Sequence, residues 1–215
     1  VVDMDPQHNA TIGLGITVAP DHPTVYDLII GTPTVTASRA ILPTQWDGLS
    51  VLPGHIDLAG AELELSDQPG REKRLREALQ GVINDFDIIL LDSPPSLSLL
   101  TVNVFACAGE ILVPCQTHPY AFNALEDLFD TIDSVREGIN RHIRITGIVP
   151  TFYDKRTKLS KIICDRLMND DRYKPFVCKT VIRANTAVAL SADVGVPVVF
   201  HKKSSYGDRK STRLN

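Results

Sequence analysis

Six short runs rich in Ile, Leu and Val, spaced by stretches of helix length, restrict this chain to very few folds. They are 49–54 ("LSVLPG"), 87–92 ("DIILLD"), 110–114 ("EILVP"), 143–149 ("IRITGIV"), 179–182 ("KTVI") and 197–200 ("PVVF"). Aliphatic and β-branched residues in unbroken succession suit a strand buried on both faces, which is the condition of a parallel sheet. Between the runs, apolar residues return every three or four positions. Leu75, Leu79, Val82, Ile83 and Phe86 do so after Gly70, and Leu125, Leu128, Phe129, Ile132 and Val135 after Pro119; Leu159, Ile162, Ile163 and Leu167 form a third set. That spacing gives a helix one apolar stripe for core packing. Strand alternating with helix predicts an α/β fold, a twisted and mainly parallel sheet with helices on both faces. Ligands of such sheets sit at the carboxyl ends of the strands.

With 215 residues, 43% of them hydrophobic, the chain can bury a substantial core. Its four cysteines, Cys107, Cys115, Cys164 and Cys178, never approach C-x-x-C spacing. They read as reduced core residues of a cytoplasmic protein, not as a metal or disulfide set. The longest uncharged run, Ser93 to Gly109, carries two prolines, three serines and an asparagine and is no membrane span. The net charge of −4 conceals an asymmetry: residues 1–154 hold 8 Lys/Arg against 21 Asp/Glu, and residues 155–215 hold 14 against 5. An acidic body with a basic final third is a candidate surface for a polyanion.

The chemistry concentrates where strands end in acids. "DIILLDSPPS" reads as a buried strand, Ile88 to Leu91, with Asp92 at its carboxyl end before a Pro94-Pro95 turn. A carboxylate there is costly to bury unless it meets a cation. In nucleotide triphosphatases that position holds the acid that organises Mg²⁺. The opening "VVDMDPQ" is a second such end, and the period-two alternation of a strand puts Asp3 and Asp5 on one side. If the two strands are near neighbours, three carboxylates converge on one edge and raise one another's pKa. No G-x-x-x-x-G-K-[ST] occurs in the 215 residues. "IGLGI" (12–16) has two glycines but no lysine, so it reads as a tight turn and not as a phosphate cradle.

Taken in order, "VDMDPQHNATIGLGI", "TVYDLIIG", "LSVLPGHIDLAGAELEL", "DIILLDSPPSLSLLTVNVFACAGEILVPCQ", "PTFYDKRTKLSKII", "KTVIRAN" and "GVPVVFHKKSSYG" resemble the ParA-type partition ATPases, deviant-Walker-A proteins related to MinD. The likeness runs from Val1 to about Gly207. It implies a Mg²⁺-dependent ATPase of chromosome or plasmid partitioning, cytoplasmic and nucleoid-associated. Such a protein forms an ATP-bound homodimer, binds non-specific DNA and is stimulated by a ParB-type partner. By the same resemblance Asp5 positions or activates the attacking water, Asp3 supports it, and Asp92 holds Mg²⁺ through water. Thr151, Asp154 and Asn185 fall where the family closes over the nucleotide base. The basic third then supplies DNA contacts, with Lys155, Arg156, Lys158, Lys161 and Arg166 on or before one helix and Arg183, Lys202 and Lys203 further on.

The family's K-G-G-V-G-K-T-T-type loop precedes the motif that begins at Val2. The expectation is therefore a single domain over residues 1–207, incomplete at its N-terminus and inactive as written, with 208–215 an artefactual or disordered tail outside the family pattern. Two alternatives come from other classes. A MinD-like ATPase working on a membrane surface needs a C-terminal amphipathic helix of lysines and large apolar residues, which "RKSTRLN" is not. The other is a non-catalytic binding scaffold.

Overall fold

The structure, a computed structural model, describes residues 1–201 and the backbone of Thr212 and Arg213. Lys202, Lys203 and the remaining residues of the 208–215 tail lie outside the described residues. The chain divides into two compact units, Val1–Ala108 and Gly109–Asn215.

The first unit contains β1 (Val2–Asp3), α1 (Asn9–Gly13), α2 (Val25–Ile30), α3 (Ala37–Ala40), β2 (Leu42–Pro43), β3 (Ser50–Val51), α4 (Leu58–Glu64), α5 (Arg74–Leu79), β4 (Leu91–Asp92) and α6 (Leu99–Cys107). β1 lies between two parallel neighbours. It pairs with β4 in the register Val2↔Leu91 and Asp3↔Asp92, and Val2 bridges Leu52 on its other side. β2 and β3 form an antiparallel pair. Met4, Val25, Ile29, Leu52, Leu58 and Leu75 are fully buried around these strands. Local chemistry sets the helix limits. At α2, Thr24 and Asp27 form a capping box, and Gly31 closes the helix at φ 80°, a left-handed geometry that favours glycine.

The second unit contains β5 (Glu110–Gln116), α7 (Pro119–Gly138), β6 (Arg144–Thr151), α8 (Lys158–Asn169), β7 (Thr180–Val181), α9 (Thr186–Val194), α10 (Val198–His201) and β8 (Thr212–Arg213). β5 and β6 run parallel along their whole length, and the far side of β6 bridges Val177. β7 and β8 pair antiparallel. α7 starts on Pro119, whose missing N–H and fixed φ suit a first helical position. Its stripe of Leu125, Phe129, Ile132 and Val135 is buried, as its spacing predicts.

The α/β class with parallel pairing is the one the sequence predicts, but four local expectations need correction. The 87–92 run is extended into a paired strand only at Leu91–Asp92, and Ile88 is 75% and Leu90 62% exposed. The run pairs with β1 on one side, and among the described residues no backbone bond is made on its other side. The 197–200 run is not a strand: Val198–His201 is a helical turn, with the Phe200 and His201 N–H groups donating to the Pro197 carbonyl. Local bonds set by a proline override the strand preference of Val and Phe there. The 75–86 stripe is interrupted after Leu79, and Ile83 is exposed on a separate 3₁₀ turn beyond Gly81, where a helix interior is weakest. On α8, Ile163 and Leu167 are buried but Leu159 and Ile162 face solvent.

Candidate functional site

The register of β1 and β4 puts the strand-end acids together. Asp3 and Asp92 are direct partners on adjacent parallel strands, and the Met4 N–H donates to the Asp92 carbonyl at 2.9 Å. Asp5 lies two residues beyond, in a turn closed by the His8 N–H donating to the Asp5 carbonyl at 2.8 Å. The three side chains differ in environment. Asp3 is 0% exposed, Asp5 half-buried and Asp92 exposed. Burial of the carboxyl group raises the Asp92 pKa from 3.8 to about 6, and the negative charges of Asp3 and Asp5 push it further the same way. The three acids do meet at this edge, and among the described residues none of them is ion-paired.

Asp3 is the anchor of this edge. Its Oδ2 accepts from the Thr11 hydroxyl at 2.7 Å and the Thr11 N–H at 2.8 Å, and its Oδ1 accepts from the Asp5 N–H at 3.3 Å. The Thr11 hydroxyl in turn accepts from the Gly54 N–H at 3.1 Å. A Cβ on Gly54 would lie 3.0 Å from the Asp3 carboxyl carbon, so glycine is what lets this segment approach. Thr11 and Gly54 were not foreseen. Their only trace in the sequence is the T-x-G turn and the Pro53-Gly54 pair, which read as ordinary loop punctuation. The Asp5 carboxylate has a single described partner, the Gln7 N–H donating at 2.9 Å.

Among the described residues no three His, Cys, Asp or Glu side chains gather closely enough to ligate a metal directly. Mg²⁺ keeps several waters and takes one or two carboxylates together with substrate phosphates. The raised Asp92 carboxyl among like charges is the kind of group such a cation would hold ionised.

The second unit carries the other candidate residues. Thr151 is buried at the end of β6, and its carbonyl accepts from the Thr117 N–H at 3.0 Å. The 151–154 and 182–185 segments lie side by side: Tyr153 N–H donates to the Ile182 carbonyl at 3.1 Å and Ala184 N–H to the Tyr153 carbonyl at 3.2 Å. Thr151 and Asp154 on one segment and Asn185 on the other therefore lie on adjoining stretches of chain. Asn185 caps α9 by accepting from the Ala187 N–H at 2.8 Å. Phe152, between them, was missed: it is 63% exposed at a left-handed φ of 51°. Buried hydroxyls hold that backbone, with Thr117 donating to the Phe152 carbonyl at 3.2 Å and lying 3.0 Å from the Ser160 hydroxyl.

The basic residues separate into two kinds. Arg156 is committed to Asp154, donating through Nε at 3.0 Å and Nη2 at 2.8 Å, and these bonds pull the Asp154 carboxyl down to about 2. Lys155, Lys158 and Lys161 are exposed and, among the described residues, take part in no ion pair. Lys158 and Lys161 occupy the first turn of α8, which has no acid to balance them. The helix dipole disfavours cations at that end by roughly 0.3–1 kcal/mol each. Arg166 is exposed on the same helix and Arg183 is half-buried. No described helix is long and apolar enough to cross a membrane. All four thiols are free, and burial pushes those of Cys115 and Cys164 up to about 11, as reduced core cysteines require.

Residues 1–145, which include the strand-end acids, match the AAA domain family. Two curated relatives narrow the class. The chain is 37% identical over 207 residues to the sporulation initiation inhibitor protein Soj of Bacillus subtilis, covering 96% of this chain and 80% of the relative. It is 35% identical over 207 residues to the chromosome partitioning protein ParA of Myxococcus xanthus, covering 96% and 72%. Among solved structures, cobyrinic acid a,c-diamide synthase from Mycobacterium smegmatis with bound ADP and magnesium superposes with a TM-score of 0.78 at 31% identity, covering all of this chain and 85% of the other. MinD from Pyrococcus horikoshii, complexed with Mg-ADP, shares the fold at a TM-score of 0.74 and 20% identity, over 97% and 77%. The chain belongs to the family of ParA-type partition ATPases.

The Asp92 environment generates a pH test. Its folded pKa of about 6 lies above the ordinary 3.8, so the ionised form opposes folding. The penalty is absent below about pH 4, grows between about pH 4 and pH 6 and is complete above that, reduced by solvent screening. Asp92→Asn should therefore raise the thermal midpoint relative to the wild type at neutral pH, and the difference should vanish by about pH 4. An Asn variant less stable at neutral pH would mean that Asp92 already has a cationic partner.

Proposed function

We propose that this chain is the nucleotide-hydrolysing body of a ParA-like ATPase that segregates a chromosome or plasmid on the nucleoid. The observation that carries the reading is the uncompensated meeting of Asp3, Asp5 and Asp92 at one strand-end edge of a chain from this family. Asp92 holds Mg²⁺ through water, and Asp5, with one oxygen fixed by the Gln7 N–H, orients the attacking water. Asp3 is buried and serves by holding the turn that carries Asp5. Thr151, Asp154 and Asn185 belong to the rim that receives the base. ATP supplies the phosphoryl group, and Mg²⁺, when bound, offsets the charge that the three acids and the phosphates accumulate.

Lys155, Lys158 and Lys161, with Arg183, Lys202 and Lys203, form the DNA-binding set. Arg156 joins them only if it leaves Asp154. Two cations kept at the wrong end of a helix dipole are a stability cost that phosphate contacts explain. ATP binding produces a homodimer, which doubles this surface, and a ParB-type partner stimulates hydrolysis. Turnover also needs a lysine-bearing phosphate loop, which residues 1–215 do not contain, so the 215 residues alone should not hydrolyse ATP; assays use the full-length protein.

In that protein Asp5→Ala should leave nucleotide binding near the wild-type level and slow turnover by about 100-fold or more, because a water-orienting group acts in the transition state. Wild-type turnover in this variant would remove Asp5 from the mechanism. DNA binding should ignore sequence and weaken steeply with salt. Neutralising Lys158 and Lys161 together should lower affinity equally on unrelated duplexes and flatten the logarithmic salt slope by about two. A marked sequence preference, or an unchanged slope, would contradict this assignment.

A further inference from the structure

The turn that carries Asp5 contains a residue whose backbone is strained. His8 sits at φ 42° and ψ 37°, the left-handed region that glycine enters freely and other residues enter at a cost. Only two other non-glycine residues among those described, Thr34 and Phe152, have positive φ. His8 does not occupy that region idly. Its Nδ1 lies 3.0 Å from the Pro6 carbonyl oxygen. A carbonyl can only accept, so Nδ1 carries the proton and donates. The His8 backbone N–H meanwhile donates to the Asp5 carbonyl at 2.8 Å, and the Gln7 N–H donates to Asp5 Oδ1 at 2.9 Å. One side chain thus ties down the middle of a four-residue turn whose first member is the acid that orients water.

We infer that His8 is a positioning residue for hydrolysis: its imidazole, by binding the Pro6 carbonyl from a left-handed backbone, fixes the turn that aims the Asp5 carboxylate. The inference rests on the reading of Asp5 given above. Glycine at this position would relieve the strain but would forgo the imidazole's bond to the Pro6 carbonyl. Strain kept next to a site is accounted for when the strained side chain acts there. The turn is anchored at its near end by the Asp5 N–H on Asp3, and the His8 ring supplies the constraint at its far end.

The test uses His8→Gly, His8→Asn and, as a control on the underlying reading, Asp5→Ala, all in the full-length protein. His8→Gly should raise the thermal midpoint by about 3 °C. It should also speed amide exchange at Gln7 by about tenfold or more, because the bond to Asp5 Oδ1 loses its frame. The kcat should fall by about tenfold or more with KM unchanged. Asn tolerates left-handed geometry and carries an amide donor, so His8→Asn should recover kcat to within about threefold of the wild type. Wild-type kcat or unaltered Gln7 exchange in His8→Gly would overturn the inference. So would a lowered midpoint, which would make His8 a structural residue, and so would failure of Asn to recover turnover. If Asp5→Ala itself turns over at the wild-type rate, the reading of Asp5 fails; if it does not and His8→Gly does, only the role of His8 fails.

Discussion

Two carboxylates at the ends of neighbouring parallel strands, in register as Asp3↔Asp92, are the constraint from which the chemistry of the first unit follows. Parallel pairing sends both strand ends to one edge, so acids that close two apolar strands cannot avoid each other. The fold handles the two in opposite ways. Asp3 is buried and its oxygens are saturated by Thr11 and the Asp5 N–H. Asp92 keeps access to solvent and carries the electrostatic burden as a raised pKa. One acid has become structure and the other remains available for a cation. Asp5, one turn further out, has an oxygen held by Gln7 and no described cation beside it.

Local strain and buried hydroxyls recur where each unit ends a strand. Thr11 does this work beneath β1, and Thr117 with Ser160 does it beneath β6. Each hydroxyl both accepts and donates, or can, which lets one small side chain satisfy two backbone segments in a buried space. Above these networks, the Asp5 N–H donates to the buried Asp3 carboxylate in one unit and the Phe152 carbonyl accepts from the buried Thr117 hydroxyl in the other.

Much of this was legible in the sequence, for identifiable reasons. Continuous aliphatic runs and helical stripes report burial, and burial on both faces fixed the α/β class. Asp3, Asp5 and Asp92 stood out as acids closing apolar strands, where a carboxylate is costly to bury without a cation, but such strand ends are common and the roles given to these three came from the family resemblance. Their separate fates were not legible, since nothing in "VVDMDPQ" tells which carboxylate will find Thr11. The 197–200 run misled because Val and Phe report strand preference while Pro197 sets the local geometry. Ile88 and Leu90 misled differently: aliphatic composition records what a strand can bury, whereas coverage depends on what packs against its faces, and both side chains are exposed. Lys155, Lys158 and Lys161 were found by charge alone, but the pairing of Arg156 with Asp154, two residues apart, was equally available and was passed over.

The central claim is the proposed one, that Asp92, whose ionised form is disfavoured first by burial and then by the charges of Asp3 and Asp5, is the acid that a metal-bound nucleotide relieves. The most direct measurement is a carbon NMR titration of the Asp92 carboxyl in the full-length protein, with and without magnesium nucleotide. Without it the group should titrate at about 6, and with it the apparent pKa should fall to or below the ordinary 3.8, because a nearby cation stabilises the carboxylate. An Asp92 that titrates at the same pH in both states would contradict the account.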